Sequence, residues 1–289
     1  MQEKMMKVID DARDFVARLE NSSDPRVKDW PLVQDVRCPL AAITCYILIV
    51  IIGPKLMRNR KALEVKFLMT VYNLLAVILS AYMLIKIILR VTEAKYNMFC
   101  QPINHSFDNP LEMEIARLLW IHYMSKYFEM LDTLIFIVRK KETQISFLHV
   151  YHHTTVILLW WIGTKWLPGG SSFVPAVINS FVHVVMYTYY GLSRYPTLRK
   201  YLWWKRYLTQ LQMTQFCLLI SHSLYVAVSD CRSIFPPYMA IVCILYAITL
   251  LLLFGKFYLG AYFNQKKESK SIDGYGGAIM SNGDKNKKL

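Results

Sequence analysis

The sequence predicts an all-α, polytopic membrane protein with seven transmembrane helices. Hydrophobic residues make up 55% and aromatic residues 14% of its 289 residues, and its mean hydropathy is +0.27. A helix needs about 20 mostly apolar residues to cross a bilayer. Seven stretches meet this requirement, near 35–53, 67–89, 115–138, 145–166, 172–192, 207–229 and 236–262. The connections are too short to hold a second domain, so we expect one transmembrane domain over residues 35–263.

The two ends of the chain are polar and differ in character. Residues 1–34 carry mixed charge, and four apolar residues recur there at helical spacing, which predicts a short amphipathic helix. These four residues are Val8, Ala12, Phe15 and Leu19. Residues 264–289 are rich in Lys, Ser, Gly and Asn, a composition typical of disordered tails.

Basic residues alternate between the connections. The connections 54–66, 139–144 and 193–206 and the tail carry 5, 3, 5 and 6 Lys and Arg, whereas the other three connections carry 4 together. Since such residues concentrate in cytosolic loops, we expect a cytosolic C-terminus and, with seven spans, a luminal N-terminus. The basic residues of the N-terminal segment run against this pattern, although acidic residues accompany them. Topology thus accounts for the net charge of +14 without a nucleic-acid partner.

Three short features fit this orientation. Two cysteines and two sequon asparagines fall on the luminal side, namely Cys100, Cys231, Asn21 and Asn104. The cysteines could form a disulfide there, and the asparagines could carry glycans. The chain ends in Lys-Asn-Lys-Lys-Leu, which resembles the cytosolic dilysine signal for retrieval to the endoplasmic reticulum, through Lys285 and Lys287.

Three of the seven histidines lie together in an apolar stretch. His149, His152 and His153 follow i, i+3, i+4 spacing, so they project from one helix face. Charged residues at membrane depth cost about 2.5–3.5 kcal/mol each and usually mark a working site. The triplet therefore indicates chemistry, whereas His122 and His222 stand alone in apolar surroundings and are interpreted as core residues.

Three more spans carry polar stripes at a similar depth. The stripes are Lys126, Glu129, Asp132 and Thr133; Asn179, His183, Tyr187 and Tyr190; and Thr209, Gln212 and Gln215. Counted from the basic loops at about 1.5 Å per residue, all four groups lie roughly 9–17 Å inside the cytosolic boundary. We therefore expect one shared cavity. The simpler interpretations are interhelical hydrogen bonding by the Thr and Gln side chains and a structural ion pair between Lys126 and Glu129.

The four motifs resemble the signature motifs of the very-long-chain fatty acid elongases, the ELO family of the endoplasmic reticulum. They read Lys126-x-x-Glu129-x-x-Asp132-Thr133, His149-x-x-His152-His153, Asn179-x-x-x-His183-x-x-Met186-Tyr187-x-Tyr189-Tyr190 and Thr209-x-x-Gln212-x-x-Gln215. The resemblance runs from about Asp24 to the end of the last span. It implies that the last six helices surround a narrow acyl tunnel. It also implies the condensation of a long-chain acyl-CoA with malonyl-CoA to give 3-oxoacyl-CoA, CO2 and CoA.

The same resemblance sets the expected partners. The protein would need no cofactor, because its CoA thioesters are substrates. It would work in the lipid bilayer beside the reductases and the dehydratase of the elongation cycle. The sequence leaves self-association and acyl-chain preference open.

The resemblance also assigns roles to the histidines. His152 is the expected nucleophile that takes the acyl group as an acyl-imidazole, with His183 as its partner in proton handling or thioester polarisation. His149 and His153 would orient these groups and hydrogen-bond the developing enolate. Cys217 lies off the polar face of its helix, so a cysteine nucleophile is not favoured.

Other polar residues complete the expected site. Donors to oxyanions are expected from Asn179, Tyr187, Gln212 and Gln215. Glu129 and Asp132 would fix imidazole tautomers or pair with Lys126. The CoA phosphates need cations at the cytosolic mouth, and those placed there are Arg139, Lys140, Lys141, Lys205 and Arg206. Topology alone would also put basic residues in these loops.

Two other functions compete with elongation. Di-iron desaturases and hydroxylases carry H-x-x-H-H boxes and act on acyl chains, but two iron ions need a larger histidine set than the seven present here. A seven-span receptor or transporter shares the span count but does not explain the polar layer.

Overall fold

The computed structural model describes residues 6–7, 10, 13–14, 20, 22–229 and 237–264 of the protein. Every regular element within these ranges is helical. The α-helices are α1 (Arg37–Met57), α2 (Lys66–Glu93), α3 (Pro110–Glu129), α4 (Leu131–Val138), α5 (Phe147–Trp166), α6 (Phe173–Leu192), α7 (Lys205–Val228) and α8 (Pro237–Leu259). The predicted amphipathic positions Val8, Ala12, Phe15 and Leu19 and the tail from residue 265 lie outside the described residues.

Five helical segments are long and apolar enough to cross a membrane. They are α1, α2, α6 with the turn before it, α7, and Tyr238–Tyr262, which is most of α8 with the turn that follows it. The chain is therefore a multi-pass membrane protein. The other two predicted spans correspond to α3 with α4 and to α5, which carry the charged and histidine stripes and are less apolar for that reason.

The third predicted span differs from a single helix over 115–138. Its helix starts earlier, at Pro110, where the Asn109 side chain caps it by accepting from two backbone N–H groups. It ends at Glu129, and α4 begins at Leu131 after a one-residue break. The break separates Glu129 and Asp132, which the sequence had placed on one continuous face.

The helices close into a ring of six. Neighbours in contact are α2 with α3, α3 with α5, α5 with α8, α8 with α7, α7 with α6, and α6 with α2. Helix α1 lies outside this ring and packs against α4 and α5. Many apolar side chains on α1, α2 and α8 point outward and are exposed, as expected of a surface that faces lipid.

One end of the ring is closed by residues 24–36, here called the N-terminal cap. Their backbone carbonyls accept hydrogen bonds from side chains of α3 and α5: Trp161 Nε1 donates to Val33 O at 2.8 Å, and Tyr123 OH donates to Leu32 O at 3.0 Å. Lys165 Nζ donates to Gln34 O at 2.8 Å. These bonds satisfy polar groups that would otherwise be buried unpaired.

A buried ion pair anchors this cap. Arg26 and Asp24 have fully buried side chains whose charged atoms lie 2.7 Å apart, and Arg26 Nη2 also donates to Pro168 O at 3.2 Å. Burial alone would raise the pKa of Asp24, but the hydrogen bonds and charge of Arg26 outweigh it and hold that pKa below its usual value. His105 Nδ1 lies 2.7 Å from the same carboxylate. The cap is thus tied to the end of α5 and to the α2–α3 connection.

Candidate active site

The structure brings the four polar stripes to one cavity. The cavity has a volume of about 760 Å³ and is bounded by side chains from α2 to α8. Its lining includes the motif residues Glu129, Asp132, His149, His152, His153, Asn179, His183, Tyr187, Tyr190, Thr209, Gln212 and Gln215. Lys126 and Thr133 lie behind this wall and are buried.

The histidine triplet forms the α5 wall of the cavity. The Ser146 side chain caps α5 by accepting from the backbone N–H of His149 at 3.3 Å, so the helix begins just before the triplet. The ring centroids of His149 and His153 are 4.5 Å apart, and those of His152 and His153 are 5.5 Å apart. The i, i+3, i+4 spacing has therefore produced one compact imidazole face.

A buried charge cluster lies on the α3 side. Lys126 Nζ donates to Glu129 Oε1 at 2.7 Å and to Asn179 Oδ1 at 2.8 Å. Glu129 Oε1 also lies 3.2 Å from His183 Nδ1 and 3.3 Å from Ser125 Oγ. Such a buried pair is tolerated only when further hydrogen bonds satisfy both ions. The same bonds fix the His183 ring by its Nδ1 atom.

Two further hydrogen-bonded groups extend the wall. Tyr187 OH donates to Asp132 Oδ2 at 3.1 Å. Thr133 Oγ1 lies 2.7 Å from His149 Nε2 and 3.0 Å from Tyr46 OH. Helix α1, which has no motif in the sequence, thus reaches the site through a single tyrosine.

His152 contacts a residue that the sequence reasoning missed. Its Nδ1 atom lies 3.4 Å from the hydroxyl of Tyr246 on α8. The chain contains 19 tyrosines, and Tyr46 and Tyr246 lie in spans that carry no polar stripe. These two residues were therefore missed. Their only signal was a hydroxyl inside an otherwise apolar run, since a buried Tyr O–H usually finds a partner.

A second, apolar cavity of about 130 Å³ adjoins the polar one. It lies between α5, α6, α7 and α8, and it extends toward Leu167, which is 15 residues or about 22 Å beyond His152 along the chain. The two cavities share the lining residues His152, Asn179, Gln215 and Phe216. The polar cavity and the apolar cavity therefore meet at the histidine layer.

Five basic side chains line the polar cavity near the connections that were predicted to be cytosolic. They are Lys66, Arg139, Arg194, Arg199 and Lys205. Burial and the positive charge of Arg139 both lower the pKa of Arg194 below its usual value, so the mouth of the cavity concentrates positive charge.

Only part of the predicted cation set lines this mouth. Five residues were predicted to bind CoA. Arg139 and Lys205 line the cavity, whereas Lys140, Lys141 and Arg206 do not. Lys140 Nζ donates instead to Arg58 O at 2.9 Å. Sequence reasoning missed Lys66, Arg194 and Arg199, although all three lie in the basic connections it identified.

The other predicted residues that the structure describes do not line the polar cavity. Cys100 is disulfide-bonded, and free thiols are found at Cys38, Cys45, Cys217 and Cys243. Asn104 is exposed. Asn21, Cys231, Lys285 and Lys287 lie outside the described residues. Within the described part of the chain, no group of three or more His, Cys, Asp or Glu side chains is arranged to hold a metal ion.

Comparison with known proteins identifies the family. Residues 31–270 match the model of the ELO family, described as the GNS1/SUR4 family. The chain belongs to this family. The match spans the helices α1 to α8 and all four polar stripes.

Curated relatives extend over most of the chain. Mouse very long chain fatty acid elongase 4 is 42% identical over 280 residues, which cover 96% of this chain and 88% of the mouse protein. Rat very long chain fatty acid elongase 2 is 40% identical over 260 residues, covering 90% and 92%. Very long chain fatty acid elongase 5 of Xenopus tropicalis is 41% identical over 266 residues, covering 92% and 88%.

Proposed function

We propose that the protein is the condensing enzyme of very-long-chain fatty acid elongation, a 3-oxoacyl-CoA synthase. It joins a long-chain acyl-CoA to the two-carbon unit of malonyl-CoA and releases CO2 and CoA. The observation that carries this proposal is the meeting of a polar cavity and an apolar cavity at His152. Membership of the ELO family and the elongase names of the relatives support it.

The architecture suits an acyl thioester. We infer that the six-helix ring encloses an acyl tunnel: the acyl chain lies in the apolar cavity, the thioester lies at the histidine layer, and the CoA moiety fills the wider polar cavity. Arg139, Arg194, Arg199, Lys66 and Lys205 would bind its phosphates at the mouth.

The chemistry begins at His152. A neutral imidazole nitrogen attacks the thioester carbonyl carbon, the C–S bond breaks, and CoA leaves as a thiolate that takes up one proton. Malonyl-CoA then loses CO2, and its enolate carbon attacks the acyl-imidazole carbonyl. The C–N bond breaks, which restores His152 and releases 3-oxoacyl-CoA.

Neighbouring groups would handle the charge that develops. With its Nδ1 atom held by Glu129, His183 would act as an imidazolium, whose Nε2–H can polarise the thioester or pass to the thiolate. The Oδ1 atom of Asn179 is occupied by Lys126, which leaves its N–H donors for an oxyanion. His149 and His153 would contribute to enolate binding, as would Gln212 and Gln215.

The topology follows from the same proposal. We place α3 with α4 and α5 across the membrane beside the five apolar segments, which gives seven spans with the N-terminus in the lumen of the endoplasmic reticulum. The polar cavity then opens to the cytosol. The cap lies on the luminal side, where Cys100 would pair with Cys231 and Asn104 would be open to glycosylation. The reductases and the dehydratase of the cycle would receive the product in the same membrane.

The experiment that tests the function is the trapping of an acyl-enzyme. Purified full-length protein is incubated with stearoyl-CoA or arachidonoyl-CoA, quenched, and mapped by peptide mass spectrometry, and a second sample receives malonyl-CoA. We expect an acyl group on His152 that malonyl-CoA converts to 3-oxoacyl-CoA. His152→Ala should lose both signals, and Glu142→Gln, at an exposed position that lines neither cavity, should keep them. An unchanged adduct in His152→Ala would contradict the assignment.

The di-iron alternative gains no support. The family match and the elongase relatives favour elongation, and the described residues offer no cluster suited to a metal ion.

A further inference from the structure

The hydroxyl of Tyr246 stands between two groups of the site wall. It lies 3.4 Å from His152 Nδ1 and 3.4 Å from Thr155 Oγ1. Tyr246 comes from α8, whereas His152 and Thr155 are neighbours on α5. A phenol can donate only one hydrogen and can accept at the same time. The direction in which it donates therefore decides which nitrogen of His152 carries a proton.

The partners of Thr155 fix that direction. Thr155 Oγ1 lies 2.6 Å from Tyr151 O, and its next carbonyl neighbour, His152 O, is 3.4 Å away. A carbonyl oxygen can only accept, so the single hydroxyl hydrogen of Thr155 goes to Tyr151 O. Thr155 Oγ1 is then an acceptor for Tyr246. Tyr246 donates to Thr155, and its oxygen accepts from His152 Nδ1–H.

We propose that Tyr246 and Thr155 are positioning residues that hold His152 in the tautomer with its proton on Nδ1 and its lone pair on Nε2. Neither residue belongs to the four motifs. The proposal rests on the function proposed above, because it assumes that His152 attacks the thioester. It adds the attacking atom, Nε2, and the device that keeps this atom unprotonated.

The arrangement also serves the acylated state. When Nε2 forms its bond to the acyl carbon and the C–S bond breaks, the imidazole becomes an acyl-imidazolium with its hydrogen still on Nδ1. That hydrogen points at the Tyr246 oxygen, which stabilises the positive charge without removing the proton. The acyl group thus stays reactive until the enolate carbon attacks and Nε2 leaves with its electron pair.

Two substitutions should have unequal effects. Tyr246→Phe removes the acceptor of Nδ1–H and should slow adduct formation about tenfold, the loss of roughly one hydrogen bond. Thr155→Val is a near-isosteric change that leaves Tyr246 with no acceptor except His152 Nδ1. Tyr246 would then donate to Nδ1 and move the proton of His152 to Nε2. The Thr155→Val rate should therefore be lower than the Tyr246→Phe rate.

The double variant separates positioning from packing. Tyr246→Phe with Thr155→Val has no hydroxyl left to donate to Nδ1, so its rate should recover to that of Tyr246→Phe alone. Thr155→Ser keeps the hydroxyl and should restore the wild-type rate. A purely structural role for Thr155 would make the double variant slower than either single variant.

A matched control lies at the same helix interface. Tyr151 OH lies 3.0 Å from Thr249 Oγ1, which is another tyrosine–threonine contact between α5 and α8 but touches no histidine. Tyr151→Phe should leave the rate unchanged.

The measurement is single-turnover formation of the His152 adduct by full-length protein with stearoyl-CoA or arachidonoyl-CoA at varied concentration. The maximal rate should change in the variants, and the concentration for half-maximal rate should not. If wild type forms no adduct on His152, the proposed nucleophile and this inference both fail. If wild type forms it and Thr155→Val is as fast as wild type, or the double variant does not recover, only the positioning proposal is overturned.

Discussion

Lys126 is a buried cation behind the wall of the site. Its side chain is 1% exposed, and an unpaired ammonium buried in this way would be strongly unfavourable. Glu129 and Asn179 compensate for this by direct hydrogen bonds. The pair also connects α3 to α6 and holds His183 in place through Glu129.

Replacing Lys126 with Met should therefore be more damaging than the loss of one surface charge. Met preserves the length of the side chain but leaves the Glu129 carboxylate buried without its cation, and we expect a loss of about 3–5 kcal/mol in stability. The loss is measured as the free energy of unfolding of the purified protein in detergent. Activity should fall with it, since Lys126 no longer fixes the Glu129 carboxylate that holds His183 at Nδ1.

The double variant Lys126→Met with Glu129→Gln provides the control. It removes both charges, so it should recover most of the stability, while elongase activity stays low because Glu129→Gln takes away the carboxylate that holds His183. A double variant as unstable as Lys126→Met would show that the charge imbalance is not the cause.

At the residue scale, the sequence predicted which side chains share a helix face, but not which side chains of other helices they contact. Helical spacing was sufficient to place His149, His152 and His153 on one face. It did not predict Tyr246 as a partner of His152, because that contact joins residues 94 positions apart. The interpretation of His122 as a core residue is confirmed by its complete burial, and its Nδ1 atom lies 3.4 Å from Ser180 Oγ.

At the scale of elements, the turn between α5 and α6 depends on one glycine. Gly170 has φ of +52°, and a Cβ atom built on it would lie 2.7 Å from the backbone oxygen of Gln101. The same oxygen accepts from the backbone N–H of Ser171 at 3.0 Å. The turn thus packs directly against the α2–α3 connection, next to the disulfide-bonded Cys100.

Gly170→Ala should destabilise the protein by about 1–3 kcal/mol, because it adds both a left-handed alanine and a clash with backbone. The midpoint of thermal unfolding in detergent should fall accordingly. Gly255→Ala is the matched control: it lies within α8, and its added Cβ meets no atom within 4 Å. Alanine there should be neutral or stabilise by up to about 1 kcal/mol. Equal midpoints for the two variants would refute the argument.

The boundaries of the helices agree with the predicted spans except at one break. The predicted spans lie within a few residues of α1, α2, α5, α6 and α7 because apolar runs are bounded by charged connections. The break between Glu129 and Leu131 was not predicted, since the apolar and polar periodicity continues through it. After the break, α4 packs against α1. A contact between such distant segments leaves no local signal in the sequence.

At the scale of the whole molecule, the two cavities lie within the ring of helices and share His152 in their walls. The fold class followed from composition, and five spans are confirmed by helices that are long and apolar enough. The order in which helices contact one another around the ring could not be read from the chain, because helices α5 and α8 meet across a long separation in sequence. That contact brings Tyr246 to His152 and closes the apolar cavity.

The depth of the apolar cavity should set the length of the acyl chain that the protein accepts. Gly163 lines this cavity, and a Cβ atom built on it meets nothing within 4 Å. It lies 11 residues beyond His152 on α5, which corresponds to about 16 Å of depth. Gly163→Phe would fill the cavity at that level and leave the histidine layer untouched. Acyl chains short enough to end between His152 and Gly163 should still react, whereas longer chains should be excluded.

The test compares acyl-CoA substrates of increasing length with purified Gly163→Phe and wild type. We expect kcat/KM for the longest acceptors to fall by roughly tenfold or more, with little change for the shortest acceptors, which also shows that the variant is folded. Gly255→Phe, on α8 and outside the cavity lining, should keep the wild-type profile. A uniform loss across all lengths would indicate a general packing defect, and an unchanged profile would mean that the acyl chain does not occupy this cavity. Because the short-chain activity is measured on the same sample, the three outcomes can be separated without a further variant.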